Sequence, residues 1–324
     1  LAEPLTSRRV SPALILSLMG AAALVCIVLF LTLGARGSWS FVLPYRGMRL
    51  AALVVVAAAV SISTVLFQTV TNNRILTPSI MGFDSLFVLI QTCILFFFGA
   101  IALSGLDPRL LFMVQVAVMA GFSILLYKLL FSGGMRSLHL MLLVGVVFGV
   151  FFRSLSGLMQ RLMDPNEFVV LQDRLFASFN TVDPQLLGIS AVVLTIVSVL
   201  ALRNLSVLDV LALGRDTSIG LGVDHRRAVR GILLCVALLV AISTALVGPV
   251  TFFGLLVANL AYLAIPSHRH RHVVPAAVLI SIICLVGGQM IVERLFAFYT
   301  ALSIVIEFAG GIMFIIMLLR GAAR

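Results

Sequence analysis

Lysine is almost missing from this chain: Lys128 is its one example, and Leu129 and Leu130 follow it. A GxxxxGK[ST] phosphate loop needs Ser or Thr directly after its Lys, so any ATP that drives this protein is bound by another chain. Charge of every kind is scarce. Asp, Glu, Lys and Arg together make up 10% of the 324 residues, against about 25% in a soluble domain. The sequence has no HExxH pair, no GxSxG elbow and no paired carboxylates inside an apolar span. An enzyme working within a membrane would need such a constellation. The four cysteines (Cys26, Cys93, Cys235 and Cys284) all fall in apolar stretches, at spacings that fit neither a metal signature nor a disulfide framework. They read as small packing residues.

What the chain does have is apolar length. Hydrophobic residues are 62% of it and its mean hydropathy is +1.22. The apolar blocks have helix length rather than strand alternation, so the expected fold class is an all-α, polytopic membrane protein. About ten transmembrane helices are expected, near 14–34, 50–69, 85–103, 110–131, 138–158, 186–202, 231–247, 252–265, 273–292 and 302–319. The eighth is short, set between Gly248-Pro249 and Pro266. The whole chain, 1–324, reads as a single transmembrane domain. Ser7-Arg8-Arg9 precedes a full-length span, so no cleavable signal is expected there. A net charge of +10 would suggest nucleic acid in a soluble protein. Here the basic residues cluster in the connections between spans, which points to membrane lipid and not to nucleic acid. Fourteen of the 22 Lys and Arg residues lie on the side of the N-terminus and eight on the other, so both termini are expected in the cytoplasm.

That orientation puts Leu205–Val223, LSVLDVLALGRDTSIGLGV, in the cytoplasm and an outer loop at about 161–185. The first is a conspicuously polar passage lying between spans. Leu205, Leu208, Leu211 and Leu213 recur in it at roughly helical spacing, Gly214, Gly220 and Gly222 punctuate it, and His225, Arg226, Arg227 and Arg230 follow. An amphipathic segment of this kind either lies among headgroups or docks into a partner's groove. The second reading is favoured. Pro78-Ser-Ile-Met-Gly82 after the second span and Pro249-Val-Thr-Phe-Phe-Gly254 after the seventh form a faint internal echo, of the kind inverted repeats leave in transporters.

Few charges remain for the rest of the chain. Arg46 and Arg49 stand three residues apart at the entrance of the second span, on one helix face, with Arg294 near the same side. Arg153 and Glu307 are the ionisable groups set deepest in the spans, roughly 10 and 8 Å below the outer boundary at 1.5 Å per residue. Similar depth and opposite charge suggest a pair, or a place for Arg153 on the pathway of an anionic cargo. Gln160 is a further polar group on an apolar face, as are Gln68, Asn259 and Gln289, and interhelical hydrogen bonding accounts for each. Met81, Phe83, Phe87, Met159 and Phe96–Phe98 read as packing residues. His268, His270 and His272 alternate with arginine, so in an extended loop they would point one way. A basic loop is the favoured reading there, and no metal site is expected.

Several blocks, in order along the chain, resemble one family. Tyr45-Arg46-Gly47-Met48-Arg49 with Asn72-Asn73-Arg74-Ile75-Leu76-Thr77-Pro78-Ser79-Ile80-Met81-Gly82 is similar to the R-x-x-R and R/N-P-L-x-x-P-x-x-x-G blocks of the FecCD family. Leu211-Ala212-Leu213-Gly214 with Leu221-Gly222-Val223 resembles its L-x-L-G … L-G-V segment. Gly248-Pro249-Val250-Thr251-Phe252-Phe253-Gly254-Leu255 resembles its G-P-I-x-F-x-G-L block, and Pro266-Ser267-His268-Arg269-His270-Arg271 with Pro275 its S-x-H-R … P loop. Leu142–Asn180 and Ser303–Gly311 look closest to the branch importing catecholate-type ferric siderophores. Two departures stand out: Arg215 precedes Asp216 where the family often has an acidic residue, and Tyr299-Thr300-Ala301 replaces its E-x-P.

The resemblance implies a BtuC-like, type II permease subunit of a binding-protein-dependent ABC importer in the inner (cytoplasmic) membrane. It implies a second permease subunit (a heterodimer is favoured) and two copies of an ABC ATPase that carry the ATP and Mg, so this chain would bind no cofactor itself. A periplasmic siderophore-binding protein would dock on Arg46 and Arg49, to which Arg294 is added, because a guanidinium fork suits carboxylates. Leu208, Leu211, Leu213, Gly214, Arg215, Asp216, Leu221 and Gly222 would form the ATPase-coupling segment, and Arg153, Gln160 and Glu307 are pathway candidates. The alternative is an ion-coupled secondary transporter, which needs an acidic relay in its spans; Glu307 alone is a poor one.

Overall fold

The computed structural model describes residues 11–34, 38–132, 138–180, 182–203, 205–295 and 302–322. Ser7-Arg8-Arg9 and Tyr299-Thr300-Ala301 lie outside them. Among the described residues the regular elements are thirteen α-helices and one short 3-10 turn. In chain order they are α1 Pro12–Thr32, α2 Trp39–Thr71, the 3-10 turn Pro78–Met81, α3 Phe83–Ser104, α4 Pro108–Ser132, α5 Leu138–Leu162 and α6 Pro165–Leu175. Then come α7 Pro184–Leu202, α8 Leu205–Leu211, α9 Arg215–Gly220, α10 His225–Val247, α11 Phe253–Ala264, α12 His270–Leu295 and α13 Leu302–Ala322. Eight of these are long and apolar enough to cross a membrane, and Phe253–Ala264 and Leu302–Met313 are shorter apolar helices. Ten apolar segments thus stand where ten spans are expected.

Three of the helix starts repeat one local device. Asp107, Asp164 and Asp183 each precede a proline and accept a backbone N–H two residues on, at 2.9, 2.8 and 2.7 Å respectively. The carboxylate satisfies an N–H that the helix cannot, and the proline gives up an N–H that would have had no partner there. The expected outer loop at 161–185 is therefore partly helical: α6 lies within it, with Leu171 buried. Glu167 of α6 has a further task. Gly99 breaks α3, with φ 72° and ψ 165°, and the Ala100 N–H beyond it donates to Glu167 Oε2 at 2.7 Å.

The second helix is longer than its apolar run. It begins at Trp39 rather than near 50, and Pro44, Arg46, Gly47 and Arg49 all lie inside it. Apolar periodicity misses those first turns because the C-terminal end of α1, and not the core, supports them. Over its 33 residues α2 spans about 50 Å at 1.5 Å per residue, and it is the axis of the molecule. Helices α1, α7, α10, α11 and α12 pack around it, while α3, α4, α5 and α6 form a second group joined to the first through α10. One apolar core runs from Ala23 to Ile306 through both groups. In the second group Phe122 meets Phe83, Phe148 and Phe152 edge-on, with ring centroids 6.1, 5.6 and 5.1 Å apart, the arrangement that aromatic quadrupoles favour.

The 3-10 turn Pro78–Met81 is seated deep in the bundle. Gly82, at φ +89°, lies against Gly145 and Gly149 of α5 so closely that an added Cβ would come within 3.0 Å of their backbones. Gly145-Val-Val-Phe-Gly149 is a small-xxx-small face, used here to admit a turn rather than a second helix.

Candidate transport-coupling site

The segment between α7 and α10 folds as two short helices, α8 and α9, joined at Gly214. Gly214 sits at φ +94° and ψ 169° and accepts the Ser218 N–H at 3.0 Å, opening α9. An L side chain is strained at that φ, so glycine is the residue that permits the reversal. Buried Ser218 then ties α9 to the start of α10, its Oγ lying 2.9 Å from His225 Nδ1.

The leucines of this segment divide into two sets. Leu208 and Leu211 are 1% and 3% exposed and pack inward on the bundle, whereas Leu213, Ile219 and Leu221 are 58%, 52% and 60% exposed. The expectation of one apolar face carrying Leu208, Leu211 and Leu213 is corrected in that respect. A stretch of seven residues buries its i, i+3 pair as an anchor, and the turn at Gly214 rotates the following apolar residues outward. Arg215, Asp216 and Gly222 are exposed beside them.

The arginines expected at the opposite end of α2 are present together, but they are engaged. Arg46 donates to the carbonyls of Phe30, Leu31 and Leu33 at 2.9, 3.3 and 2.9 Å. Arg294 of α12 also donates to Leu33 O. Two guanidinium groups therefore cap α1, whose last carbonyls carry partial negative charge and no helical partner. Arg49 stacks on Tyr45, its Cζ 4.3 Å from the ring centroid, and pairs with Glu293 of α12 at 3.6 Å. The sequence shows the three arginines but not their pairing, since the partners lie 13–16 residues away for Arg46 and 244 and 261 residues away for Arg49 and Arg294.

Arg153 and Glu307 do not pair. Arg153 donates to Ser85 Oγ of α3 at 3.3 Å, and the charged neighbour of Glu307 is Asp84. Residue depth counted from sequence gives height in the membrane but not angular position, which is why the pairing failed. Asp84, not singled out from the sequence, faces a small polar cleft with Ser63, Thr64, Ser79, Thr244 and Thr251. Ser79 and Thr251 belong to the two echoing segments, so the structure brings Pro78–Gly82 and Pro249–Gly254 to one place. Gln160 donates to Thr92 Oγ1 at 3.3 Å, joining α5 to α3. Gln68 and Asn259 both donate to Arg74 O, at 2.7 and 3.2 Å.

The three histidines do not share a direction. His272 Nδ1 meets Ser267 Oγ at 3.0 Å, while His270 opens α12 and turns inward onto Asp209 and Thr69. Among the described residues no group of three or more His, Cys, Asp or Glu could hold a metal ion.

A helical bundle with eight helices of membrane-crossing length, a small cleft lined by Asp84, serines and threonines, and a glycine-jointed appendage with exposed apolar residues points to one class: an integral-membrane transport component. The comparisons with known proteins agree. The chain belongs to the FecCD transport family, which it matches over residues 7–320. It is 47% identical over 305 residues to the petrobactin import system permease protein YclO of Bacillus subtilis, covering 94% of this chain and 96% of that one. It is 41% identical over 282 residues to the petrobactin import system permease protein FatC of Bacillus anthracis, covering 87% and 80%. The vitamin B12 import system permease protein BtuC of Vibrio cholerae is 29% identical over 287 residues, covering 87% and 82%. A solved chain of a metal-chelate type ABC transporter in an inward-facing conformation superposes with a TM-score of 0.83 at 21% identity, over 95% of this chain and 99% of that one. This last likeness shows the fold. The chain is a multi-span permease subunit of an ABC import system, and ATP hydrolysis belongs to a separate ATPase.

Proposed function

We propose that this permease moves a ferric siderophore of the petrobactin type across the cytoplasmic membrane, with both termini in the cytoplasm. The observation that carries the reading is the 47% identity to a petrobactin permease over nearly the full length of both chains. The catecholate-type branch expected from Leu142–Asn180 and Ser303–Gly311 is consistent with an iron–siderophore cargo. A second permease chain, two copies of an ATPase and an extracytoplasmic siderophore-binding protein complete the transporter, and the permease pair is a heterodimer. The permease itself binds no cofactor.

In this reading the ATPase seats on the exposed Leu213, Ile219 and Leu221, with Gly214, Arg215, Asp216 and Gly222 beside them. Leu208 and Leu211 hold the segment to the bundle. The binding protein docks at the Arg46 end of α2, where Arg49 exchanges Glu293 for a carboxylate of its partner. Arg153, exposed on α5 and bonded to Ser85, lines the route of an anionic chelate, with Gln160 and Glu307 as further pathway residues.

The test is uptake of iron-55 by proteoliposomes holding the purified permease pair and ATPase, with the binding protein supplied on the loading side. Ferric petrobactin should enter only with ATP. Uptake of a ferric hydroxamate or of vitamin B12 in its place would refute the cargo, and uptake without nucleotide would refute the class of mechanism.

A further inference from the structure

Asp209, His270 and Thr69 form a hydrogen-bonded chain that joins three helices. One oxygen of Asp209, on α8, accepts both the His270 backbone N–H at 2.8 Å and the His270 Nδ1–H at 2.6 Å. On the other side of the ring, His270 Nε2 lies 2.7 Å from Thr69 Oγ1 of α2. The Thr69 hydroxyl is in turn 2.8 Å from Val65 O, one turn back along the same helix. His270 is 4% and Thr69 6% exposed, so water cannot easily replace the bond between them, and a low dielectric strengthens it; the Asp209 side chain is 35% exposed.

Capping of α12 explains only part of this. Asp209 serves as a cap from outside for the first N–H of α12, and any acceptor there would do as much. A cap does not need the imidazole to bridge onward to α2, nor a threonine placed to meet it. Apolar contacts, such as those of Leu208 and Leu211, let one helix slide over another at little cost. A directional chain with two short bonds to an aromatic ring fixes both distance and angle. It ends near the last turn of α2, the axial helix. The polar cleft is lined by Val56, Val60, Ser63 and Thr64 of α2, and the same helix carries Arg46 and Arg49 at its far end.

We infer that Asp209, His270 and Thr69 are positioning residues for energy coupling: they lock α8 to α2, so that movement of the ATPase-seated segment is passed to the axial helix. This rests on the proposed coupling role of α8 and α9. It adds the particular side chains that carry the movement inward.

The test uses the complete complex in proteoliposomes with Thr69→Val, which keeps the volume and loses the hydroxyl, and with Asp209→Ala and Asp209→Asn. The quantity read is cargo imported per ATP hydrolysed, relative to wild type. Coupling between sites commonly amounts to about 5- to 150-fold, and Thr69→Val and Asp209→Ala should each lower the ratio within that range while ATP hydrolysis continues. Asp209→Asn keeps an acceptor oxygen and should restore part of it. Combining Thr69→Val with Asp209→Ala should be no worse than the poorer single variant, as expected of links in series.

A second reading is independent of cargo. In the purified permease–ATPase complex, nucleotide should change amide exchange over residues 65–71 in wild type and not in Thr69→Val. Lower yield or thermal stability with an unchanged ratio and unchanged exchange response would mean a merely structural contact and overturn the inference. So would multiplicative effects in the double variant. Failure of the proposed function appears instead in wild type, as an absence of ATP-driven uptake or of ATPase association.

Discussion

The two ends of α2 are held by opposite chemistry. At the Arg46 end, mostly half-buried charge is spent on the molecule itself: Arg46 and Arg294 cap the carbonyls of α1, and Arg49 pairs with Glu293. At the Thr69 end, hydrogen bonds from Asp209 through His270 reach the interior, while Leu213, Ile219 and Leu221 are left bare outside. A partner arriving at the first end must trade polar contacts that already exist. A partner arriving at the second finds apolar surface with nothing to displace but water. The first contact should be weak, selective and sensitive to salt, suited to a visitor that comes and goes. The second should be persistent.

The largest expected effect is at the bare end. Ile219→Asp with Leu221→Asp should abolish co-purification of the ATPase, because two carboxylates would be buried against an apolar seat. The thermal stability of the permease should be unchanged. Leu208→Ala should do the reverse, since this side chain faces inward. Truncating a buried leucine costs about 2–5 kcal/mol, so the melting temperature in detergent should fall while the ATPase still binds. If Leu208→Ala released the ATPase and the double aspartate did not, the division of the leucines into anchor and seat would be wrong.

Between these lies the joint. Gly214→Val puts a β-branched side chain at φ +94°, where it is strongly disfavoured. The open space around Gly214, with only Asn72 Nδ2 within 4 Å of an added Cβ, means the strain is in the backbone and not in packing. Expected is a permease that folds and retains its ATPase but imports about tenfold less per ATP, which is roughly 1.4 kcal/mol of lost coupling. Unimpaired import in that variant would show that the angle between α8 and α9 is immaterial.

The same contrast explains what could be read in advance. The apolar segments were legible because a membrane demands an apolar composition and, for the eight helices of crossing length, a minimum length as well. The α8–α9 segment was legible because leucine spacing and glycine punctuation are local. Neither signal reaches the tie between α8 and α2: 61 residues separate Asp209 from His270, and 201 separate His270 from Thr69. His270 attracted notice as one of three alternating histidines, and that alternation misled, because α12 begins at His270 and turns its side chain away from the loop. The first turns of α2 were missed for a related reason. Their support comes from the end of another helix, so no hydrophobic period marks them. Asp84 was overlooked because one acid at the start of an apolar run resembles a helix-end charge, and only the fold shows it between two segments that begin 171 residues apart, at Pro78 and Pro249.

The smallest expected effect separates two neighbours at the arginine end. Arg46→Ala removes the principal cap of α1 and should lower stability by about 1–2 kcal/mol, the upper range for a cation at a helix C-terminus. Binding-protein affinity should change little. Arg49→Ala leaves the Arg46 and Arg294 cap bonds of α1 in place and leaves Glu293, a carboxylate 16% exposed in its side chain, with Gln289 beside it but without its paired guanidinium, so that it repels an acidic visitor. Its expected signature is a lower affinity for the binding protein, with a shallower dependence on salt than wild type, and a melting temperature close to wild type. The two residues are a single turn apart on one helix, so any general disturbance of that end should affect both measurements in both variants. A clean exchange of effects, stability for Arg46 and salt-dependent docking for Arg49, requires that one arginine is structural and the other available. Identical behaviour of the two variants would remove the distinction, and docking would then have to be sought on the exposed surface of α6.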